Sequence, residues 1–129
     1  MSSVYYLAAL YSELKGGTYI VAGTSNLCEL YVGYFTKGGD STYDIGVLNN
    51  YTVDEVIKIG EYLGVPDTVI HKVPSDGLSG MSDEEKLGVK YSEIASFINN
   101  EELNEEVSNK ILTLHKNAHH KFDIPVYKR

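Results

Sequence analysis

Apolar residues near the start of the chain are typical of a helix that is apolar on every side. Val4, Leu7, Ala8, Tyr11 and Leu14 recur at helical spacing, and further apolar residues occupy the opposite face. A pair of glycines then ends the helix. A helix with no polar face should be covered all round. In so short a chain, this predicts packing against a second subunit or against a missing part of the same protein.

The one convincing strand is the apolar run TYIVA at residues 18–22, which stops at Gly23. A short helix follows to about Gly33, capped by Ser25 or Asn26. Residues 44–48 and 124–127 are weak strand candidates. Because a parallel strand needs neighbours and crossover helices, two interpretations stay open. The chain is either a mostly helical domain or the latter half of an α/β domain whose first strands lie upstream.

The rest of the pattern predicts helices separated by one long loop. Capping boxes begin at Thr52 and Ser82, and the helix after Thr52 should turn Val56, Ile57, Ile59 and Leu63 inward. We expect a turn after Pro66, a loop over residues 73–81, a helix over 92–98, a last helix through 107–118 and an extended tail. A composition break that would mark a linker is absent from the sequence, which predicts a single domain over residues 1–129.

Composition narrows the classes of partner. The chain has 129 residues and a formal net charge of −7, with 11 basic and 18 acidic side chains. Such a balance disfavours nonspecific binding to nucleic acid or to an anionic membrane. The lone Cys28 cannot form an internal disulfide, which favours a reducing compartment, and the first apolar run is too short to cross a bilayer. These features predict a cytoplasmic protein without a membrane or nucleic-acid partner.

Several polar residues stand where chemistry is plausible, although each also has an ordinary structural explanation. Thr24 follows the predicted strand, where α/β proteins place nucleotides, and Glu29 would suit Mg²⁺ beside phosphates. Lys37, in a glycine-flanked loop, would contact a phosphate or carboxylate. Asp44 would accept hydrogen bonds from a ribose or base. Ser75 lies in the long loop, which would act as a lid. A cationic cluster of His119, His120 and Lys121 lies near the carboxyl end.

Five sequence blocks, taken together, resemble the C-terminal half of ammonia-dependent NAD⁺ synthase. They are GTSNLCE, GYFTKGGD, YLGVPDTVIHKVPSDGL, SDEEKLG and HHKFDIP, in the family's order and spacing. The resemblance implies a Rossmann-like α/β fold of the adenine nucleotide α-hydrolase type and a homodimer. It also implies that ATP, with Mg²⁺, adenylates deamido-NAD⁺, after which ammonia displaces AMP to give NAD⁺.

The resemblance assigns roles to individual residues. Glu29 resembles the family's Mg²⁺ ligand, and Thr24 and Ser75 resemble its contacts with ATP. Four residues resemble contacts with deamido-NAD⁺: Lys37, Asp44, His120 and Lys121. The catalytic residues are not assigned by this resemblance.

Two departures from the family pattern matter. Val53 stands where many relatives have a lysine that contacts ATP, and the SGGxDS loop that cradles the ATP phosphates is absent from the sequence. We therefore expect this chain alone to be inactive as a synthase. Two alternatives stay open, a non-catalytic nucleotide-binding or dimerisation module and one half of a split synthase completed by a separate N-terminal polypeptide.

Overall fold

The computed structural model describes residues 1–123 and 126–127 and shows a helix-rich α/β chain. The predicted class is therefore confirmed. The elements, in chain order, are α1 (Ser2–Lys15), β1 (Ala22–Gly23), α2 (Leu27–Val32), β2 (Ile45–Gly46), α3 (Val53–Tyr62), α4 (Asp67–Ile70), α5 (Asp83–Leu87), α6 (Tyr91–Ile98) and α7 (Glu105–Phe122).

A small parallel sheet organises the first third of the chain. Strands β1 and β2 pair in parallel, with Ala22 opposite Ile45 and Gly23 opposite Gly46. The connection between them runs through α2, because parallel neighbours need a crossover rather than a tight turn. The weakly predicted segment at 44–48 thus supplies the partner strand. This β1–α2–β2 unit leaves the residues after β1 at the carboxyl edge of the sheet.

The prediction of a five-residue strand at 18–22 is wrong in its extent. Pairing with β2 is confined to Ala22 and Gly23, and Tyr19 and Ile20 are about half exposed. Val21 is buried, and its carbonyl accepts the amides of Asp44 and Ile45 at 2.9 and 3.3 Å. An extended segment becomes a strand only where another chain segment pairs with it, and β2 is too short to reach residues 18–20.

The hydrophobic core lies between α2, α5, α6 and α7. Ile94, Ile111 and Cys28 are fully buried at its centre. The spacing of Cys28 and Val32 along α2 places both on the face that packs against α6 and α7, as expected for residues four positions apart in a helix. Residue Leu63, which the sequence predicted to face inward, is 69% exposed because it lies past the end of α3.

The predicted helix limits agree closely with the structure. Asn26 rather than Ser25 caps α2, with a capping box to Glu29, and Ser82 caps α5 with a capping box to Glu85. The predicted tail strand at 124–127 falls partly outside the described residues, since Ile124 and Pro125 are not among them.

Helix α1 is exposed along its whole length. Every one of its residues keeps part of its surface in solvent, and Tyr6 and Leu14 are 67% and 66% exposed. Its contacts with the rest of the chain include the hydroxyl of Tyr5, which donates to Asp44 at 3.2 Å. The apolar helix is thus left uncovered by the described residues, and its predicted partner, including the homodimer, stays a prediction. Across the described residues, we find no helix long and apolar enough to span a bilayer.

Candidate functional site

A cleft of about 230 Å³ lies at the carboxyl edge of the sheet and brings three predicted residues together. Thr24 reaches it from the end of β1, Glu29 from the first turn of α2 and Ser75 from the long loop before α5. Thr24 and Glu29 are five residues apart, whereas Ser75 is distant in sequence, so the fold brings Ser75 to the other two. A cleft beyond the carboxyl ends of parallel strands is where open α/β sheets bind ligands.

Glu29 is a constrained carboxylate with an unfavourable charge. Its backbone amide donates to the Asn26 side chain at 3.0 Å, while its own Oε2 accepts the Asn26 amide at 2.9 Å. Burial raises the pKa of Glu29 above its usual value, and the negative charges of Asp83 and Asp40 raise it further. The hydrogen bonds with Asn26 lower the pKa of Glu29, but they offset only part of the increase caused by burial and the two aspartates.

Carboxylates that the sequence reasoning missed line the same cleft. Asp83 is 6% exposed, and its two oxygens accept the hydroxyls of Tyr34 at 2.9 Å and Tyr91 at 3.5 Å. Asp40 accepts the amide of Thr36 at 2.8 Å. Both aspartates belong to sequence blocks that carried the family resemblance, GYFTKGGD and SDEEKLG. The capping pattern that begins at Ser82 gives no separate signal that Asp83 is buried.

A second cleft, of about 410 Å³, adjoins the first and carries two lysines. Tyr34, Asp40 and Asp76 line both clefts, and Lys86 and Lys121 line the second one. The Lys86 ammonium forms an ion pair with Asp76 of the long loop. This hydrogen bond lowers the pKa of Asp76 to about 2, and the same carboxylate raises the pKa of Lys86. The pair is ionised throughout the physiological range.

The predicted residues Lys37, His120 and Lys121 meet where α7 ends. Lys37 Nζ donates to the carbonyl of His120 at 2.5 Å, and the His120 side chain is exposed. Lys121 Nζ donates to the carbonyls of Gly33 and Phe35 at 2.6 and 2.7 Å, and it lies 5.1 Å from the centre of the Phe35 ring. In the structure, both lysines therefore bind backbone carbonyls. Lys37 binds one near the end of α7, and Lys121 binds two just after α2.

Asp44 lies just before β2. Its Oδ2 accepts the amide of Val21 at 2.8 Å, and its Oδ1 accepts the Tyr5 hydroxyl. The structure thus gives Asp44 a clamping role between α1 and the start of β1. Its predicted contact with deamido-NAD⁺ stays a prediction.

Val53 packs against the hydrophobic core as the first residue of α3. It also lines a cleft of about 480 Å³ together with Lys72, at the beginning of the long loop. Val53 supplies no cation to this cleft. Lys72 is a cation in the same cleft from a different element.

The carboxylates of the first cleft suit a metal ion that also binds phosphate. Within residues 1–123 and 126–127, we find no group of three or more His, Cys, Asp or Glu side chains placed to hold a metal ion by themselves. Mg²⁺ is bound by one or two carboxylates and completes its octahedron with water and phosphate oxygens. Glu29, with Asp40 and Asp83 near it, fits such a partial set, because a cation would offset the charge that raises the Glu29 pKa.

Replacing Lys121 with methionine should lower the free energy of unfolding by about 1–2 kcal/mol, because two carbonyls lose a charged donor. Urea unfolding of the chain, followed by circular dichroism, measures this change. Lys116→Met, at an exposed position of the same helix, serves as the control and should change stability by less than about 0.5 kcal/mol. Equal stabilities for the two variants would show that the Lys121 contacts contribute nothing.

Fold and site together define an α/β protein with a polar cleft, lined by carboxylates, at the carboxyl edge of a parallel sheet. Comparison with known proteins then gives the family. The family model described as NAD synthase matches residues 4–125. The chain belongs to the NAD synthase family.

Curated relatives carry the same family name. An NH₃-dependent NAD⁺ synthetase of Malacoplasma penetrans is 44% identical over 126 residues, covering 97% of this chain and 49% of that protein. A synthetase of the same name from Syntrophomonas wolfei is 39% identical over 120 residues, covering 92% and 48%. The chain therefore spans about half the length of the curated relatives it matches.

Solved structures agree on the fold. An NMN synthetase from Francisella tularensis superposes with a TM-score of 0.81 at 37% identity, covering 96% of this chain and 52% of that one. An NH₃-dependent NAD synthetase from Campylobacter jejuni, at 23% identity, gives a TM-score of 0.67 over 97% and 51% of the two chains, which supports the fold alone.

Proposed function

We propose that this chain is the carboxyl-terminal part of an enzyme that amidates the nicotinate carboxylate of deamido-NAD⁺ with ammonia, at the expense of ATP. The observation that carries the proposal is that Ser75, from the long loop, lines the same cleft as Thr24 and Glu29, from the β1–α2 segment. Family membership supports ligase chemistry in NAD biosynthesis. The cleft supplies the polar groups that such chemistry needs.

Each residue has a role in this proposal. Thr24 and Ser75 would bind ATP in the cleft that both line, and Glu29 would hold Mg²⁺ with help from Asp40 or Asp83. The metal would stabilise negative charge on the phosphates as the carboxylate is adenylated. The long loop around Ser75 would exclude water from the acyl-adenylate, whose hydrolysis would waste ATP.

Contacts to the dinucleotide would come from Lys37, Asp44, His120 and Lys121. Lys37 and Lys121 now donate to backbone carbonyls, so binding would require them to exchange a carbonyl for a ligand oxygen. Lysine suits this exchange, since its ammonium is a compact charge on a flexible stem. Lys72 would supply the ATP contact that Val53 does not provide, because both line one cleft.

The chain alone should produce no amide, because it spans about half the length of its curated relatives. The test compares this chain with a chimera in which the amino-terminal half of the Malacoplasma penetrans relative precedes it. Each protein receives ATP, MgCl₂, ammonium chloride and deamido-NAD⁺, and mass spectrometry measures NAD⁺ and AMP. We expect equal amounts of NAD⁺ and AMP from the chimera alone.

Two outcomes would contradict the proposal. A folded chimera that forms neither product would refute the synthase function. Turnover by the chain alone would refute the requirement for an amino-terminal half. If that half is required but is a separate polypeptide, the enzyme is a split synthase. Each outcome is read on protein whose helical content has been checked by circular dichroism.

A second substrate is favoured by one comparison. The Francisella tularensis structure, the better superposed of the two, is described as an NMN synthetase. The corresponding reaction would amidate the nicotinate mononucleotide. Offering both acids to the chimera in competition gives the ratio of kcat/KM values directly. A ratio above unity for the mononucleotide would assign that activity to this chain in place of NAD⁺ synthesis.

A further inference from the structure

We propose that Lys86 is a phosphate-binding residue of the nucleotide cleft and that the Asp76 carboxylate takes the place of the phosphate until the nucleotide binds. This inference rests on the proposed function, because it assumes that a polyphosphate enters the two adjoining clefts. It assigns a role to a lysine that neither the sequence motifs nor the family resemblance singled out.

The first support is the position of Lys86. It is the fourth residue of α5, its side chain is 20% exposed, and it lines the 410 Å³ cleft. That cleft shares Tyr34, Asp40 and Asp76 with the cleft of Thr24, Glu29 and Ser75. A ligand that fills the smaller cleft and extends outward would therefore pass the Lys86 ammonium.

The second support is the way in which Asp76 reaches Lys86. Asp76 lies on the long loop directly after Ser75, and its Oδ2 pairs with the Lys86 ammonium. Its Oδ1 accepts the amides of Leu78 and Ser79 at 3.0 and 3.3 Å. The loop thus folds around a carboxylate that bonds a lysine and two amides, a donor set that also suits a phosphate.

The third support is the balance of charge around the clefts. Four carboxylates line them, namely Glu29, Asp40, Asp76 and Asp83, against the two cations Lys86 and Lys121. Lys121 already donates to two carbonyls. A polyphosphate would be repelled by this excess of negative charge. Displacing Asp76 removes one negative charge from the path of the polyphosphate and exposes the positive charge of Lys86. Both changes make the electrostatic potential along that path less negative.

The exchange should respond to anions rather than to pH. The hydrogen bond from Lys86 lowers the pKa of Asp76 to about 2, so the pair stays ionised throughout the physiological pH range. A polyphosphate competes with Asp76 because it brings several charges to the same ammonium. Salt should weaken both interactions by screening, and the measurements therefore use a fixed ionic strength.

The test measures binding of inorganic tripolyphosphate, without metal, to the whole chain by isothermal titration calorimetry. Asp76→Asn should bind the probe about 2–5-fold more tightly than the wild type, because an exposed competing carboxylate is lost. Lys86→Met should bind it about tenfold more weakly or worse, because a charged hydrogen bond is lost. Lys116→Met, on the exposed side of α7, should bind like the wild type.

The opposite signs of the two variants separate a binding role from a structural one. A merely structural ion pair would shift both variants in the same direction, or neither, and that result would overturn the proposal, as would a wild type that binds no probe at millimolar concentration. If Lys86→Met does not fold, the tightening by Asp76→Asn decides alone, and unchanged or weaker binding by that variant refutes the exchange.

Failure of this inference can be told apart from failure of the proposed function. An active chimera whose tripolyphosphate affinity is unchanged by Lys86→Met would remove the role of Lys86 and leave the amidation standing. An inactive chimera in which the two variants shift tripolyphosphate binding in opposite directions would refute the amidation and leave the role of Lys86 standing.

Discussion

Replacing Glu29 with glutamine should stabilise the chain and disable the enzyme that contains it. Burial and nearby aspartates raise the pKa of Glu29 above the ordinary 4.5. The folded state therefore favours the protonated carboxyl. Its contribution to stability is present in full below pH 4.5 and is lost as the pH rises through the folded-state pKa. At pH 7 the charge opposes folding, and glutamine, which can still accept the Asn26 amide, removes it.

The activity of the chimera, in contrast to the stability of the chain, should fall in Glu29→Gln. If Glu29 holds Mg²⁺ beside the ATP phosphates, the neutral amide is a poorer ligand, and kcat/KM of the chimera should fall by about 100-fold or more. Replacement of outer-shell groups alone costs 10–100-fold in metal sites. The melting temperature of the chain between pH 4 and pH 8, together with turnover of the chimera at several Mg²⁺ concentrations, measures the two effects.

Glu55→Gln is the matched control for this prediction. Glu55 occupies the same capping-box position in α3 that Glu29 occupies in α2. Hydrogen bonds from Thr52 lower the pKa of Glu55, so its stabilising contribution is present above pH 4.5 and is lost as the pH falls. Glu55→Gln should therefore lower the melting temperature at pH 7 and leave turnover unchanged. If both variants lower the melting temperature alike, the special environment of Glu29 is refuted.

Replacing Gly33 with alanine should cost about 2–5 kcal/mol of stability. Gly33 ends α2 at φ +69°, where a side chain strains the backbone, and a Cβ there would lie 2.2 Å from the Ala118 Cβ and 3.2 Å from the Ala118 Cα. Neither atom can move without shifting α7. The strain contributes about 1–2 kcal/mol and the overpacking about 1–3 kcal/mol. Urea unfolding of the variant measures the sum.

Gly64→Ala isolates the backbone part of that cost. Gly64 follows α3 at a similar φ of +71°, and nothing lies within 4 Å of the Cβ that alanine would add. This control should lose about 1–2 kcal/mol. The difference between the two variants is then the cost of separating α2 from α7. Equal losses at the two sites would show that the helices accommodate the extra methyl group.

Helix ends were the most predictable part of the fold. Asn26, Thr52 and Ser82 begin helices in the structure as their capping patterns predicted. Capping is local chemistry, since the donor, the acceptor and the acid three residues later all lie within one turn. The same locality explains why α2 stops at Gly33, where the chain needs a left-handed residue.

Strand extent and the surroundings of the cleft were less predictable, because they depend on distant residues. The run at 18–22 has a strand's composition, yet pairing with β2 extends only to Ala22 and Gly23. The motifs identified Thr24, Glu29 and Ser75, which do line one cleft. The Asp76–Lys86 pair arises from packing between the long loop and α5, and the burial of Asp83 arises from Tyr34, just after α2, and Tyr91 of α6. Spacing along the chain carries no information about such contacts.

Helix α1 has a thermodynamic consequence for any experiment on this chain. Moving one large apolar side chain out of water is worth about 1.5–3 kcal/mol, and Tyr6 and Leu14 both leave most of that gain unrealised. The unfolding free energy of the solitary chain is therefore a lower bound. A partner that buries α1 would raise this free energy, and the size of the increase would measure how much apolar surface the partner covers.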